Sequence, residues 1–131
     1  MITIISGTNR KGSHTEKFAK HIYKLLQSKT KESVNYFSLV KMPEDVLHDL
    51  MYEGKKQSKA LRHIQEEIMI PAKKFLIISP EYNGSFPGVL KVFLDACSIH
   101  EYQKTFKGKK AGLIGVASGR AGNLRGMDHL L

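Results

Sequence analysis

The chain has 131 residues, 41% of them hydrophobic and 25% charged, and carries a formal net charge of +9. This length and composition predict a single globular domain, 1–131, and no window approaches the run of about 18 apolar residues that spans a membrane. Cys97 is the single cysteine, which excludes an internal disulfide, and the six histidines lack the spacing of metal ligands, so we expect no bound metal.

The N-terminus enters the first predicted strand almost at Met1, which leaves no room for a signal peptide and favours a cytoplasmic protein. The lysines are spread along the chain without stacking aromatic residues between them, which argues only weakly for nucleic-acid binding. A basic surface would nevertheless attract small anionic ligands.

The stretch Ile2–Thr15 combines a short β-branched run, a turn rich in glycine and hydroxyl groups, and the start of an amphipathic helix. In a parallel sheet this junction lies at the carboxyl edge, where backbone N–H groups and the helix dipole favour a phosphate. The loop lacks the lysine of a nucleoside-triphosphate loop and the dinucleotide fingerprint G-x-G-x-x-G, so we predict a single terminal phosphate as its ligand. A capping box of Ser13 and Glu16 explains part of the loop without a ligand, but it does not account for Thr8 and Arg10.

The next segments alternate between helical and strand patterns. Apolar residues at helical spacing, from Phe18 to Leu26, predict the first helix, and Ser33–Leu39 predicts a second strand near a sheet edge. The segment Val40–Gly54 is ambiguous, because its proline and acidic residues could start a short helix. Gln57–Ile70 predicts a second helix that ends before a proline.

The second half continues the alternation. Lys74–Ser79 is a compact apolar run typical of a central parallel strand, and the polar turn stretch Pro80–Gly88 follows it. Pro87 marks the start of a third helix. Ala111–Ala117 is continuously apolar, which predicts a strand covered on both faces, and it leads through the loop Ser118–Gly122 into a last helical pattern.

The element order β-α-β-α-β-α-β-α predicts a doubly wound α/β/α parallel sheet. Right-handed crossovers and a flavodoxin-like topology give the strand order 2-1-3-4, with the switch point between the first and third strands. Three polar, glycine-rich loops then meet at the carboxyl edge, namely Ser6–Thr15, Pro80–Ser85 and Ser118–Gly122. Their convergence predicts a binding site at this edge.

Two motifs carry a resemblance to a known family. The pattern GTxRxxS occupies residues 7–13 after the first strand, and PEYNGSxPGxLK occupies residues 80–91 after the third. Together, and at this spacing, they resemble the NADPH-dependent FMN reductase family, a flavodoxin-like group that includes quinone, azo-dye and chromate reductases.

The resemblance implies a bound FMN as cofactor. The first loop would hold its phosphate, the second would line the isoalloxazine ring with backbone N–H groups near N5 and O4, and the third would flank its other side. The site residues that the resemblance implies are Ser6, Thr8, Arg10, Ser13, His14, Thr15, Pro80, Glu81, Tyr82, Asn83, Gly84, Ser118, Gly119 and Arg120.

The resemblance also implies the reaction. NADPH or NADH would pass a hydride to the flavin, and a flavin, quinone, azo or metal-oxyanion acceptor would then be reduced in a ping-pong cycle. No side-chain acid or base is required, so we expect no catalytic residue. The alternatives are a non-enzymatic electron carrier, disfavoured because flavodoxins are typically acidic, and a basic nucleic-acid-binding protein with a vestigial flavin site.

Two further expectations follow from the resemblance. The helix Leu90–Ile99 is a candidate interface for a homodimer or homotetramer. Flavodoxin-like folds usually have a fifth strand and a closing helix, which the sequence pattern here lacks. We therefore expect part of the third and fourth strands to be uncovered on the face that carries the first helix.

Overall fold

The computed structural model describes residues 1–131 as four parallel strands between two layers of helices. The strands are β1 (Ile2–Ser6), β2 (Val34–Ser38), β3 (Lys74–Pro80) and β4 (Lys110–Val116). The helices are α1 (His14–Lys29), α2 (Lys59–Ile64), α3 (Gly88–Cys97), α4 (Tyr102–Phe106) and α5 (Leu124–Leu130).

The sheet has the predicted strand order, β2-β1-β3-β4, with every pair parallel. Ile4 of β1 lies beside Tyr36 of β2 and Leu76 of β3, which places the two central strands in full register. Because β1 and β3 are adjacent and their following helices lie on opposite faces, the loops after them diverge at the carboxyl edge. The predicted fold class is thereby confirmed.

Two hydrophobic clusters lie on the two faces of the sheet. The larger contains Ile5, Phe75, Phe93 and Cys97 and is covered by α2, α3 and α5. The smaller lies beneath α1 and is built around Ile4. The single cysteine is fully buried, and burial raises the pKa of its thiol to about 12.

The fourth strand differs from the prediction. No residue of β4 is buried, although its apolar run predicted a strand covered on both faces. The reason is position, because β4 pairs only with β3 and so lies at the sheet edge. On the α1 face, Leu76, Ile114 and Val116 are only partly buried, as expected for strands that lack a second covering helix beside α1.

None of the helices has the length and apolar character needed to cross a bilayer.

The helices differ from the prediction in detail. The predicted second helix is α2 continued by a π-helical turn, Gln65–Met69, and the ambiguous segment 40–54 forms two short 3₁₀ turns, Leu39–Lys41 and Glu44–Val46, rather than a helix. The short helix α4 was not predicted, since five residues provide too little periodicity.

Two buried glutamines, one before α2 and one after it, bond to the end of α3. The Gln65 side-chain nitrogen lies 2.8 Å from the Cys97 carbonyl oxygen, 2.6 Å from the Thr105 hydroxyl, and in contact with the His100 carbonyl. Gln57 donates to the Ala96 carbonyl at 2.7 Å. These amides donate to carbonyls at and after the end of α3, where the helix itself supplies fewer N–H donors.

Lys109 has a structural role that the sequence did not indicate. Its ammonium group donates to the carbonyls of Met69 and Ile70 at 2.7 and 2.8 Å and lies 5.4 Å from the centre of the Phe75 ring. Burial lowers the pKa of this lysine. The cation therefore caps the π-helical turn instead of lying free in solvent.

We expect Gln65→Leu to lower the free energy of unfolding by about 2 kcal/mol, because it leaves buried carbonyls without a donor. Urea denaturation with a fitted midpoint measures the change. Gln103→Leu, on the exposed side of α4, is the matched control and should stay within about 0.5 kcal/mol of the wild type. Equal stabilities of the two variants would contradict the role given to Gln65.

Candidate functional site

The first loop leaves β1 at Gly7, which packs tightly against the neighbouring elements. Its N–H donates to the Ile78 carbonyl at 2.8 Å. A Cβ atom at this position would lie 3.1 Å from that carbonyl oxygen and 3.1 Å from a methyl group of Leu90. Glycine therefore lets the loop start directly against β3 and α3.

Thr8 links the first loop to the second. Its buried hydroxyl lies 3.0 Å from the Tyr82 hydroxyl and accepts a hydrogen bond from the Arg10 N–H at 3.2 Å. In this structure the Thr8 hydroxyl therefore joins the two loops, and its predicted role toward a ligand stays a prediction. Ser6 is also fully buried, and its hydroxyl has no partner.

The start of α1 is capped as the sequence predicted. The Ser13 hydroxyl accepts from the Glu16 N–H at 3.1 Å, and the Glu16 carboxylate accepts from the Gly12 N–H at 3.1 Å, one residue earlier than in the usual capping box. The N–H groups of His14 and Thr15 donate to no protein group. The cap therefore leaves two donors at the positive end of a 16-residue helix.

The second loop is closed by a tight turn. Tyr82 and Ser85 exchange backbone hydrogen bonds of 2.8 and 3.0 Å, and the two residues between them have positive φ, 52° at Asn83 and 74° at Gly84. Asparagine and glycine are the residues that such a turn favours. The Glu81 N–H donates to the Val116 carbonyl at 3.2 Å, so Glu81 and Tyr82 have no free N–H for a ligand.

The third loop depends on Asn123, which the sequence analysis missed. Asn123 is fully buried with φ of 65°, and its side-chain nitrogen donates to the Ser79 carbonyl at 3.1 Å. Gly115 and Gly126 make room for it, since a Cβ atom would lie 2.4 Å from the Gly122 carbonyl oxygen and 2.0 Å from the Asn123 amide oxygen, respectively. The only signal in the sequence was an asparagine after a glycine at the end of a polar loop.

A cleft of about 460 Å³ lies between the three loops at the carboxyl edge. Eight of the predicted site residues line it: Arg10, Ser13, His14, Thr15, Pro80, Glu81, Tyr82 and Ser118. Four residues that were not predicted complete the lining: Lys11, Gly12, Val116 and Ala117. The predicted residues outside the lining are Ser6, Thr8, Asn83, Gly84, Gly119 and Arg120.

The donors of the cleft fit a phosphate group. Arg10 and Lys11 are exposed and cationic, and the two free N–H groups of His14 and Thr15 lie on the same loop. The Ser13 oxygen accepts the capping bond, which leaves its O–H free to donate. Capping and anion binding are therefore compatible in this loop. No group of three or more histidine, cysteine, aspartate or glutamate side chains is placed to hold a metal ion.

Comparison with known proteins places the chain in a family. The family model described as NADPH-dependent FMN reductase matches residues 1–131. The chain belongs to this family. The resemblance inferred from the two motifs is confirmed.

Two bacterial relatives match most of this chain. A quinone reductase of Pseudomonas putida is 27% identical over 128 residues, which are 98% of this chain and 65% of that protein. An FMN-dependent NADPH-azoreductase of Staphylococcus haemolyticus is 32% identical over 122 residues, 88% of this chain and 60% of that protein. The chain thus spans less than two thirds of the length of these relatives.

Solved structures share the fold. A flavoenzyme NAD(P)H:(acceptor) oxidoreductase from Paracoccus denitrificans superposes with a TM-score of 0.76 at 24% identity, covering 98% of this chain and 67% of that chain. An NADH:FMN oxidoreductase in its apo form gives 0.75 at 20% identity, covering 98% and 63%. These similarities show a common flavodoxin-like architecture.

We expect the cap at Glu16 to make stability depend on pH. The hydrogen bond from Lys20, at 2.9 Å, is the main cause that holds the pKa of Glu16 below its ordinary 4.5. A carboxylate with a lowered pKa in the folded state stabilises the protein above its unfolded-state pKa and loses that contribution as the pH falls through the folded-state pKa. The stability difference between wild type and Glu16→Gln should therefore shrink between about pH 5 and about pH 3.

Urea midpoints measured over this pH range test the expectation. Glu53→Gln, which removes an exposed carboxylate without a hydrogen-bond partner, is the matched control. A difference between wild type and Glu16→Gln that stays constant with pH would rule out the ionised cap.

Proposed function

We propose that this chain is an NAD(P)H-dependent oxidoreductase that works through bound FMN. The observation that carries the proposal is the cleft at the carboxyl edge, where the phosphate-binding donors of the first loop face the Pro80–Tyr82 wall. Membership of the NADPH-dependent FMN reductase family supports the choice of cofactor. When bound, the flavin supplies the hydride-accepting centre, and the protein supplies position and electrostatics.

The phosphate of FMN is assigned to the first loop. Arg10 would form charge-assisted hydrogen bonds to it, and the free N–H groups of His14 and Thr15 would donate along the helix axis. The hydroxyl groups of Ser13 and Thr15 complete the donor set. Thr8 supports this loop indirectly, since its hydroxyl is bonded to that of Tyr82.

The isoalloxazine ring is assigned to the space between the second and third loops. Pro80, Glu81 and Tyr82 would form one wall, and Ser118 and its neighbours would form the other. The free N–H groups of this second loop are those of Asn83 and Gly84, at the tip of the turn. Neither residue lines the cleft, so both donors lie beside the ring wall and not on it. Gly119 and Arg120 lie outside the cleft and are exposed, where Arg120 could meet the nicotinamide nucleotide.

The electron acceptor is assigned to a class of small oxidised molecules. The names of the relatives, a quinone reductase and an azoreductase, favour a quinone or an azo compound. The acceptor would follow the nicotinamide on the exposed side of the ring, as in a ping-pong cycle. Initial rates that give parallel double-reciprocal lines would support this order, and intersecting lines would exclude it.

We expect purified protein to retain FMN after removal of excess, and the flavin band near 450 nm, typical of flavins generally, to bleach when NADPH is added without oxygen. Arg10→Ala should weaken FMN binding at least about tenfold, because a charge-assisted bond to phosphate is lost. Lys31→Ala removes one positive charge far from the cleft and should leave the affinity unchanged. Fluorescence titration of FMN measures both.

Two results would contradict the proposed function. A protein that retains no FMN would show that the cap at Ser13 serves only the helix. A protein that holds FMN but oxidises NADPH only with an added reductase would be an electron carrier instead of an enzyme.

We further propose that two copies associate beside the amino end of α3. Most of the apolar stripe of the helix predicted as the interface is occupied within the chain, since Leu90, Phe93 and Cys97 are buried in the core. The outer side of the same helix borders a groove of about 580 Å³, lined by Leu39, Val40, Met42, Pro43, Val46, Leu47, Val89 and Val92 among others. Leu47 is 69% exposed at its rim.

We expect Leu47→Glu to weaken self-association by at least about tenfold in sedimentation equilibrium, because it places a charge in an apolar contact. Leu124→Glu is the matched control, since Leu124 is equally exposed at 68% but lies on α5, away from the groove. A wild type that sediments as a monomer at all concentrations would exclude this interface.

A further inference from the structure

Helix α5 and its N-cap residue contact Ser79, the β3 residue just before the second loop, and Ser85, at the end of that loop. At the start of the helix, the Asn123 side-chain nitrogen donates to the Ser79 carbonyl at 3.1 Å. Near its end, the His129 Nδ1 atom lies 2.8 Å from the Ser85 hydroxyl oxygen. Ser79 and Ser85 flank the segment 80–84, which contains the Pro80–Tyr82 wall of the cleft.

The contact at Asn123 is built into the local backbone. The residue is fully buried in a left-handed conformation, which asparagine tolerates better than most residues. Any side chain at Gly126 would collide with its amide group. Its amide oxygen is buried without a partner, and its amide nitrogen is the group that bonds to Ser79.

The contact at His129 is exposed and lies on the other side of the turn. Ser85 is the residue whose backbone closes the turn with Tyr82, so a bond to its hydroxyl restrains the whole turn. Outside this turn, the segment 81–85 is held by the backbone bond from Glu81 to Val116 and by the side-chain bond between Tyr82 and Thr8. A loop with so few internal bonds depends on the contacts at its ends.

We propose that Asn123 and His129 are positioning residues that clamp the Pro80–Ser85 loop in its ligand-binding conformation. The effect of the clamp on flavin binding rests on the proposed function, since this loop would form the wall beside the isoalloxazine ring. Neither side chain lines the cleft, so both act through the loop. The first loop has its own restraint in the Ser13 and Glu16 cap, so the clamp acts chiefly on the ring wall, which meets the first loop at the Thr8–Tyr82 hydrogen bond.

The first test needs no cofactor. His129→Ala removes one end of the clamp from an exposed position, and Asp128→Ala changes the neighbouring exposed residue without touching the loop. Hydrogen–deuterium exchange should be about fivefold faster in the Pro80–Phe86 peptide of His129→Ala, the factor for one lost hydrogen bond, and unchanged in residues 10–17. His129→Gln, which can again bond to the Ser85 hydroxyl, should restore the wild-type rate.

The second end of the clamp is tested by Asn123→Gly. Glycine keeps the left-handed conformation and removes the bond to Ser79. Exchange in the same peptide should again rise about fivefold. If Asn123→Gly unfolds, the exchange rates of His129→Ala and His129→Gln still show whether the clamp restrains the loop. Unchanged exchange in the loop of His129→Ala, or equal acceleration in residues 10–17, overturns the proposal.

The third measurement links the clamp to the cofactor. In His129→Ala the dissociation constant for FMN should rise about fivefold. The visible absorption maximum of bound FMN should also shift, which general loss of stability would not cause. His129→Gln should restore both values, and Asp128→Ala should match the wild type. If the wild type binds no FMN, the proposed function fails, but the exchange data still support or overturn the clamp.

Discussion

The hydrogen bond from the Gly7 N–H to the Ile78 carbonyl is the contact on which the arrangement of the site depends. It extends the pairing of β1 and β3 by one residue beyond the end of β1, so that the first loop begins beside the second. The absence of a side chain at Gly7 lets α3 pack against the same point. From there the chain turns toward α1 on one face, while β3 continues toward α3 on the other, and the cleft opens between them.

The walls of the cleft are held in different ways. The first loop is fixed by a helix cap, in which Ser13 and Glu16 satisfy two backbone donors and leave two others free. The second and third loops are fixed by side chains that reach across, chiefly Asn123 and Tyr82. A site formed at the end of a parallel sheet can thus combine a rigid anion-binding end with a wall whose shape depends on distant residues.

Much of the fold could be predicted from the sequence, because hydrophobic periodicity and the crossover rule depend on local pattern and chain order. The strand order and the meeting of three loops were predicted correctly. Features that depend on tertiary contacts could not be predicted. Gln65 and Lys109 look like surface residues in the sequence, and only the fold shows that they bond to buried carbonyls. Exposure of β4 likewise follows from its place in the sheet and not from its composition.

The position of Cys97 has a consequence for the chemistry of the folded chain. Its thiol is buried on the inner side of α3, and a pKa of about 12 keeps it protonated at neutral pH. Thiolate character and access together determine whether a cysteine reacts with peroxide or a disulfide. The only sulfhydryl group of this chain therefore stays outside thiol exchange while the core is closed. Its rate of alkylation reports directly on how often that core opens.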